Sequence, residues 1–426
     1  MTHTLAIDVG SSSVKAAMLD GTDLASDVAS AAFETDHDGI YVEVPAERID
    51  EAIRQAVGQL DVSTAERVGL TTMAPAWLAM DEDGRAITPI VTHQDRRGGM
   101  TQQLIDSTTG RKVTFRQLTG NVPTPGGISV TTATWLNNRT DSVRRAAMVG
   151  HLPTSLFRRL SGVWAMDPSN AGFTGMLDIR RMAWSREVCD AARFPMSKLP
   201  PIVDAATVVG ETRENDLGIP TGLPLFGGYV DGSGPLLVGG AKPGTLMHSA
   251  GSTDVLAVCV EKPRPTSGLL CRPLGTGGLW VLAATQAAGG SALSWAKRTL
   301  FADWSDEQFN AAIVEPVGRK TSVTFHPHLA GDRQSVEQPT GAFTGLTLAT
   351  TRADLLTAVK HGLVGDHSRR LKRLLKVAGD VDRRVITTGG GGVLPGLMRA
   401  TWPGDDWQFE EVEQGTLRGL GALAQE

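Results

Sequence analysis

The chain has little cysteine and little excess charge of either sign. Three cysteines in 426 residues, Cys189, Cys259 and Cys271, form no C-x-x-C pair. A disulfide framework and a thiolate zinc site are therefore not implied. A net charge of -5 gives no reason to expect a nucleic-acid or anionic-membrane partner. No apolar run reaches the roughly 18 residues of a membrane span, and no basic-then-apolar segment opens the chain. No membrane association is expected, and the cytoplasm is the expected location. There is no G-x-x-x-x-G-K-[ST] motif, which argues against a P-loop. The run "GGGG" at 389–392 does not continue as G-x-G-x-x-G, so a dinucleotide fold has weak support.

What is present is glycine, 49 residues of it, in a chain that is 41% hydrophobic and 20% charged. Such a composition suits a globular protein, and the length suits two or three domains. "TLAIDV" and "VKAAML" read as short buried strands, and "SDVASAAFET" as an extension of their sheet. "ERIDEAIRQAVGQL" places Ile49, Ile53, Val57 and Leu60 on one helical face. A later helix does the same with Leu355, Val359, Leu363, Leu371 and Leu374, and the strand "RVITT" follows it. Strands alternating with helices predict an α/β architecture.

The chain also repeats itself. "IDVGSSSVKAAML" from Ile7 and "HSAGSTDVLAVCV" from His248 align on Gly10 and Gly251. Each reads strand, glycine, hydroxyl, hydroxyl, polar residue, valine, strand. A duplicated fold with two glycine-hydroxyl hairpins follows, divided near Thr221 into residues 1–221 and 222–426. Such a turn offers several backbone N–H groups to phosphate oxygens. Lys15 could add charge to the first, or point to solvent. Asp8 is costly in an apolar strand unless it is paired or binds a cation such as Mg²⁺; capping a local turn is the plainer alternative. Asp231, in "GGYVDGSGP", is a turn former or, opposite a phosphate site, a general base.

Taken together and in order, these stretches resemble the FGGY family of carbohydrate kinases over nearly the whole chain. "IDVGSSSVKAAMLD" is similar to its first phosphate motif, and "GGYVDGSGPLLVGGAKPGTLMHSAGSTDVLAV" to its catalytic Asp and second phosphate motif. "TTGGGGVLPGLMRATWPG" is similar to its adenosine motif. "GRAITPIVTHQDRRG", "MDPSNAG" and "PHLAGDRQ" match further segments. The resemblance implies two ribonuclease-H-like lobes, as in actin and hexokinase, with the active site in the cleft between them. It implies ATP and Mg²⁺, with Asp8 orienting the Mg²⁺ shell and Asp231 as the base on a sugar hydroxyl. Gly10, Ser11 and Ser12 would lie near the transferred phosphate. Gly251, Ser252 and Thr253 would hold the outer phosphates of ATP, and Gly290, Gly390 and Gly391 would flank the nucleoside.

Sugar contacts are expected from Met73, Trp77, Asp95 and Tyr229, beside Asp231. Trp77 has a core position as its alternative, Tyr229 a position outside the pocket, and Asp95 an ion pair with Arg97. His328 stands where the family usually has Tyr, Asp332 where it has Glu, and Ser252 where Thr is common. The loop "TMAPAW" replaces the frequent "G-Q-x-H-G". "HPH" at 326–328 reads as loop packing rather than metal binding, and "HSRRLKRLLK" as a solvated helix face. The expected activity is phosphorylation of a small sugar, a ketopentose such as xylulose first. A non-catalytic sugar or nucleotide sensor and an actin-like ATPase are the alternatives. A homodimer is an open expectation.

Overall fold

Alternation along the first strand, His3–Val9, sets the architecture. Leu5, Ile7 and Val9 are buried with Ile49, Ile53 and Val57 of the helix Ala46–Val57. Ala6 and Asp8 take the other face. The molecule is described by a computed structural model covering residues 3–99, 101, 102, 105, 114–315, 320–389 and 393–424. Ser13–Asp20 returns antiparallel to the first strand, with Asp8 opposite Lys15. Ala29–Ala32 extends the sheet beyond it. On the other side, Arg67–Thr72 and then Pro224–Val230 run parallel to the first strand.

The second sheet repeats this order. Leu246–Ala250 and Asp254–Val260 form its hairpin, and Trp280–Gln286 lies antiparallel outside it. Arg384–Thr388 and then Gln408–Glu411 run parallel on the other side. Leu246, Leu256 and Val258 pack on Leu371 and Leu374 of the long helix Arg352–Ala378. The likeness of the two hairpins is thus a likeness of two whole sheets.

Sequence position and sheet membership part at the divide. Pro224–Val230 lies in the first sheet, although it follows residue 221, because its parallel partner is Arg67–Thr72. The last helix, Gly415–Leu423, also returns to the first sheet. Its Leu417, Leu420 and Leu423 share a core with Ala6, Leu19, Phe226 and Tyr229. Met247, Ala257 and Val281 of the second sheet join that same core, so one apolar layer ties the two sheets together.

The basic run on the long helix exposes Arg369, Lys372 and Arg373 as expected, but two of its residues turn inward. His367 is fully buried and Arg370 nearly so, four and seven residues beyond Leu363 on the inward face. The cause is Asp254, whose carboxylate meets His367 Nδ1 at 2.6 Å and His248 Nε2 at 2.7 Å. His326 lies in a short strand with its ring 3.4 Å from Thr344. All three cysteines are buried free thiols. Among the described residues, no helix is long and apolar enough to cross a membrane.

The last helix approaches the first sheet through small residues. A Cβ on Gly421 would stand 1.9 Å from the Gly21 carbonyl oxygen, whereas one on Gly396 meets nothing within 4 Å. Gly421→Ala should lower stability by about 1–3 kcal/mol, and Gly396→Ala should not. Denaturant unfolding of both variants checks this.

Candidate active site

Asp8 is the penultimate residue of its strand, and Asp231 directly follows Pro224–Val230. Arg67–Thr72 runs between these two parallel strands, which puts the two acids about 10 Å apart across the sheet at backbone level. A bulge decides which face each takes. Gly227 pairs with Leu70, but Tyr229 rather than Gly228 pairs with Thr71, the partner of Asp8. The extra residue turns Tyr229, and Asp231 two residues later, to the face of Asp8. Gly227 and Gly228 have φ of +95° and +81°. A Cβ would stand 2.4 Å from Leu70 O at the first and 2.7 Å from the Phe157 ring at the second. Only glycine satisfies both demands.

The two carboxylates feel each other. Burial, and then the charge of Asp231, push Asp8 up to about 8, with Lys15 pulling back. Asp8 Oδ1 is buried and has no hydrogen-bond partner among the described residues. Burial also raises Asp231, against the Gly232 N–H, Arg272 and Arg333. Gly232 N–H donates to Asp231 Oδ1 at 2.7 Å. An orphaned carboxylate oxygen beside a second acid suits a divalent cation and is otherwise a cost. Lys15 is half-buried and donates to Gln414 at 3.3 Å, so it faces inward rather than to bulk solvent.

The "MDPSN" stretch holds the Asp231 strand. Asp167 caps the helix Pro168–Thr174, accepting from Ser169 N at 2.7 Å and Asn170 N at 3.1 Å. Ser169 Oγ donates to Asp167 at 2.5 Å and accepts from Val230 N at 3.0 Å. Asn170 Nδ2 donates to Gly228 O at 2.6 Å. Backbone on both sides of Tyr229 is thereby fixed just before Asp231.

Two arginines, Arg272 and Arg333, act on Asp231, and sequence reasoning did not single them out. Arg272, from the strand Leu270–Pro273 of the second sheet, donates to Ser233 Oγ at 2.8 Å. Burial lowers it to about 10, against Asp167 and Asp231. Arg333 is lowered by burial and by Arg96, with Asp231 opposing. His93 is lowered to about 4 by burial, then by Arg333 and Arg96. The signal in the sequence was the motif containing Arg333, "PHLAGDRQ". Nothing local marked Arg272, which reaches Asp231 only across the sheets.

The second hairpin turns at Gly251, Ser252 and Thr253, with Gly251 N–H donating to Thr253 O at 2.9 Å. The helix Gly290–Leu300 begins against it. Gly290 N–H donates to Gly251 O at 2.9 Å, and a Cβ on Gly290 would stand 2.5 Å from that oxygen. A cavity of about 880 Å³ opens there, lined by Gly251, Ser252, Gly290, Ser294, Lys297 and Asn310 among others. A helix N-terminus and an exposed hydroxyl turn at its wall suit phosphate. Gly390 and Gly391 lie outside the described residues.

Comparison with known proteins fits this arrangement. The model for the N-terminal domain of the FGGY family of carbohydrate kinases matches residues 3–237, and that for its C-terminal domain residues 246–401. The chain belongs to the FGGY family. It is 26% identical to the xylulose kinase of Klebsiella pneumoniae, over 84% of this chain and 76% of that one. It is 23% identical to the gluconokinase of Bacillus subtilis, over 91% and 80%. The fold matches a ligand-bound xylulose kinase from Lactobacillus acidophilus with a TM-score of 0.84 at 20% identity, covering 100% of this chain and 89% of that one. FGGY sugar kinases are phosphotransferases with alcohol acceptors, and the two repeated sheets are the two lobes of that fold.

Four of the residues expected to touch sugar are engaged within the fold of this FGGY chain. Met73 and Trp77 are core residues, 2% and 1% exposed, and Trp77 packs edge-on against His151 and Phe194. Both oxygens of Asp95 are engaged: Arg97 Nε at 2.9 Å, Arg97 Nη2 at 2.7 Å and Val42 N at 2.8 Å. Tyr229 is fully buried, and its hydroxyl donates to Thr416 O at 2.8 Å. The apolar and ion-pair alternatives describe these four positions. The charged groups that do act on Asp231 are Arg272 and Arg333, and Arg96 and His93 neighbour Arg333.

Asp8 ties stability to pH. Its folded value near 8 exceeds its ordinary 3.8, so between those values the folded protein holds a proton that the unfolded chain releases. Stability on this account falls as pH rises through that window. In magnesium-free buffer, Asp8→Asn should therefore gain melting temperature over the parent as pH rises from 5 to 8. Parallel melting curves across that range would refute it. Ser169→Ala leaves Val230 N unpaired and should cost about 1–2 kcal/mol, with turnover falling more than binding; kcat and KM measured separately test this.

Proposed function

We propose that this FGGY kinase transfers the γ-phosphoryl group of ATP to a hydroxyl of a small sugar, with a ketopentose such as xylulose as the first acceptor to test. The observation that carries the proposal is the pair Asp8 and Asp231, brought to one face of the first sheet with Asp8 Oδ1 left unpartnered. Asp231 accepts the proton of the acceptor hydroxyl as its oxygen bonds to the terminal phosphorus and ADP departs. Burial raises the basicity of Asp231 toward that task, which contributes typically about 10²–10⁴-fold. Asp8 is the residue that would hold Mg²⁺, which when bound neutralises phosphate charge. Arg272 and Arg333 stand by Asp231 to stabilise charge on the group in transfer. Gly251, Ser252 and Thr253, with Gly290, supply backbone and hydroxyl donors for the phosphates of ATP, and Gly10, Ser11 and Ser12 do so on the first lobe.

One observation favours a second acceptor class, a sugar acid. Arg96 and Arg333 have no carboxylate partner within ion-pair distance among the described residues, and the charge of Arg96 lowers Arg333. An anionic acceptor would relieve that repulsion, and one relative is a gluconokinase.

An acceptor panel of ketopentoses, other ketoses, polyols and aldonates, read by ADP release, tests the proposal. ADP release should require an acceptor, and Asp231→Asn should lower it at least about 10²-fold with an unchanged melt. Acceptor binding without turnover would favour a sensor. ADP release without an acceptor would favour a plain ATPase.

A further inference from the structure

A second, smaller polar cavity of about 150 Å³ lies on the outer side of the second hairpin, where Gln286 pairs with Asp254. It is enclosed by the end of Trp280–Gln286, the loop 327–334 and the long helix Arg352–Ala378. His328 and Asp332, two positions where the chain departs from the usual FGGY pattern, line it. So do Gln286 and Gln334, only 4% and 8% exposed.

The polar atoms of this wall lack partners. Neither the amide nitrogen nor the amide oxygen of Gln286 has a hydrogen bond among the described residues, nor do Gln334 Nε2 and Arg370 Nε. Gln334 Oε1 accepts from Thr285 N at 3.4 Å. Arg370 Nη2 stands 2.7 Å from Asp366 and 3.6 Å from Asp254, as an ion pair. Arg369 also pairs with Asp366, at 2.9 Å, and Arg373 reaches only Ser267 O, at 3.4 Å. Asp332 accepts from Gln334 N at 2.8 Å.

Three buried donors and one acceptor on residues that line this cavity thus lack partners among the described residues, and each unmet group is a cost to the fold. Exchanging the nitrogen and oxygen of Gln286 changes nothing, since both are free. Three arginines against Asp332 and Asp366 give the lining a positive balance. The complement is a small anion with several acceptor oxygens and one donor hydroxyl. Hydrogen phosphate has both, whereas sulfate has no donor. The volume admits such an ion. Arg333, which borders Asp231 electrostatically, is the immediate neighbour of Gln334 on the same loop.

We propose that this cavity binds inorganic hydrogen phosphate through Gln286, Gln334 and Arg370, and that the bound ion braces the loop that carries Arg333. The binding claim is independent of the kinase reading.

The test is calorimetric titration and thermal melting of the full chain with inorganic phosphate. A saturating non-hydrolysable ATP analogue keeps phosphate from the hairpins, and sodium sulfate at matched ionic strength is the second titrant. Phosphate should bind and raise the melting temperature, and sulfate should bind more weakly. Gln286→Leu removes two unmet polar groups and should fold at least as stably as the parent, whereas Gln334→Leu also takes the acceptor from Thr285 N and should cost some stability. Each should weaken phosphate binding about tenfold, the effect of one hydrogen bond to a charged ligand. A crystal grown in phosphate should show the ion in the cavity, a readout that does not depend on either variant folding. No phosphate response with the analogue present, an equal response to sulfate, unchanged binding in both variants, or water only in the cavity would overturn the proposal.

Discussion

Two like charges held on one face of one sheet are the constraint around which this molecule is built. Asp8 and Asp231 come from parallel strands separated by a third, and a bulge of two glycines turns the second acid toward the first. Repulsion and burial both oppose this, as the raised Asp8 shows. The surroundings hold the strands regardless. The Asp167–Ser169–Asn170 cap ties down the backbone before Asp231, and the last helix buries Tyr229 from the other side. An arrangement that is unfavourable by itself is thus rigidly supported by its surroundings.

The two lobes solve the same problem differently. Aligned on Gly10 and Gly251, Asp8 corresponds to Ser249 and Ser13 to Asp254. The first hairpin has its acid before the glycine, at the open end of the sheet and without a partner for one oxygen. The second has its acid after the turn, facing the long helix. Burial alone would raise Asp254, but hydrogen bonds from His248 and His367 outweigh it and hold it below the usual carboxylate range. One acid is therefore kept available for chemistry. The other is neutralised and anchors the second hairpin to the helix beneath it. Repetition of a fold leaves such differences free, because the hairpin turn needs only its glycine and short side chains.

Reading the chain without coordinates reached the α/β class, the repeat and the residues at the two hairpins, because each is written locally. Alternation of period two marks the strands, and helical spacing marks Val359, Leu363, Leu371 and Leu374, all fully buried. Glycine beside hydroxyls marks the turns. The same local logic did not reveal the partners of Trp77, Asp95 and Tyr229. Proximity in sequence to a site suggested contact with a ligand, whereas Arg97, the core and Thr416 had already engaged them. His367 and Arg370 read as a solvated basic face because nothing within the helix reveals Asp254 opposite.

By itself, then, the sequence determined the architecture, its duplication and the acids before and after the turns, since these follow from short-range periodicity and turn chemistry. Only the tertiary structure decided which face Asp231 takes. The bulge exists only in register with Leu70 and Thr71, on a strand more than 150 residues earlier in the chain. It also decided that Arg272 and Arg333 attend Asp231, because their guanidinium groups arrive from the second sheet and from a distant loop. Side-chain identity is carried along the chain. The electrostatic field in which a carboxylate titrates depends on every charge folded around it.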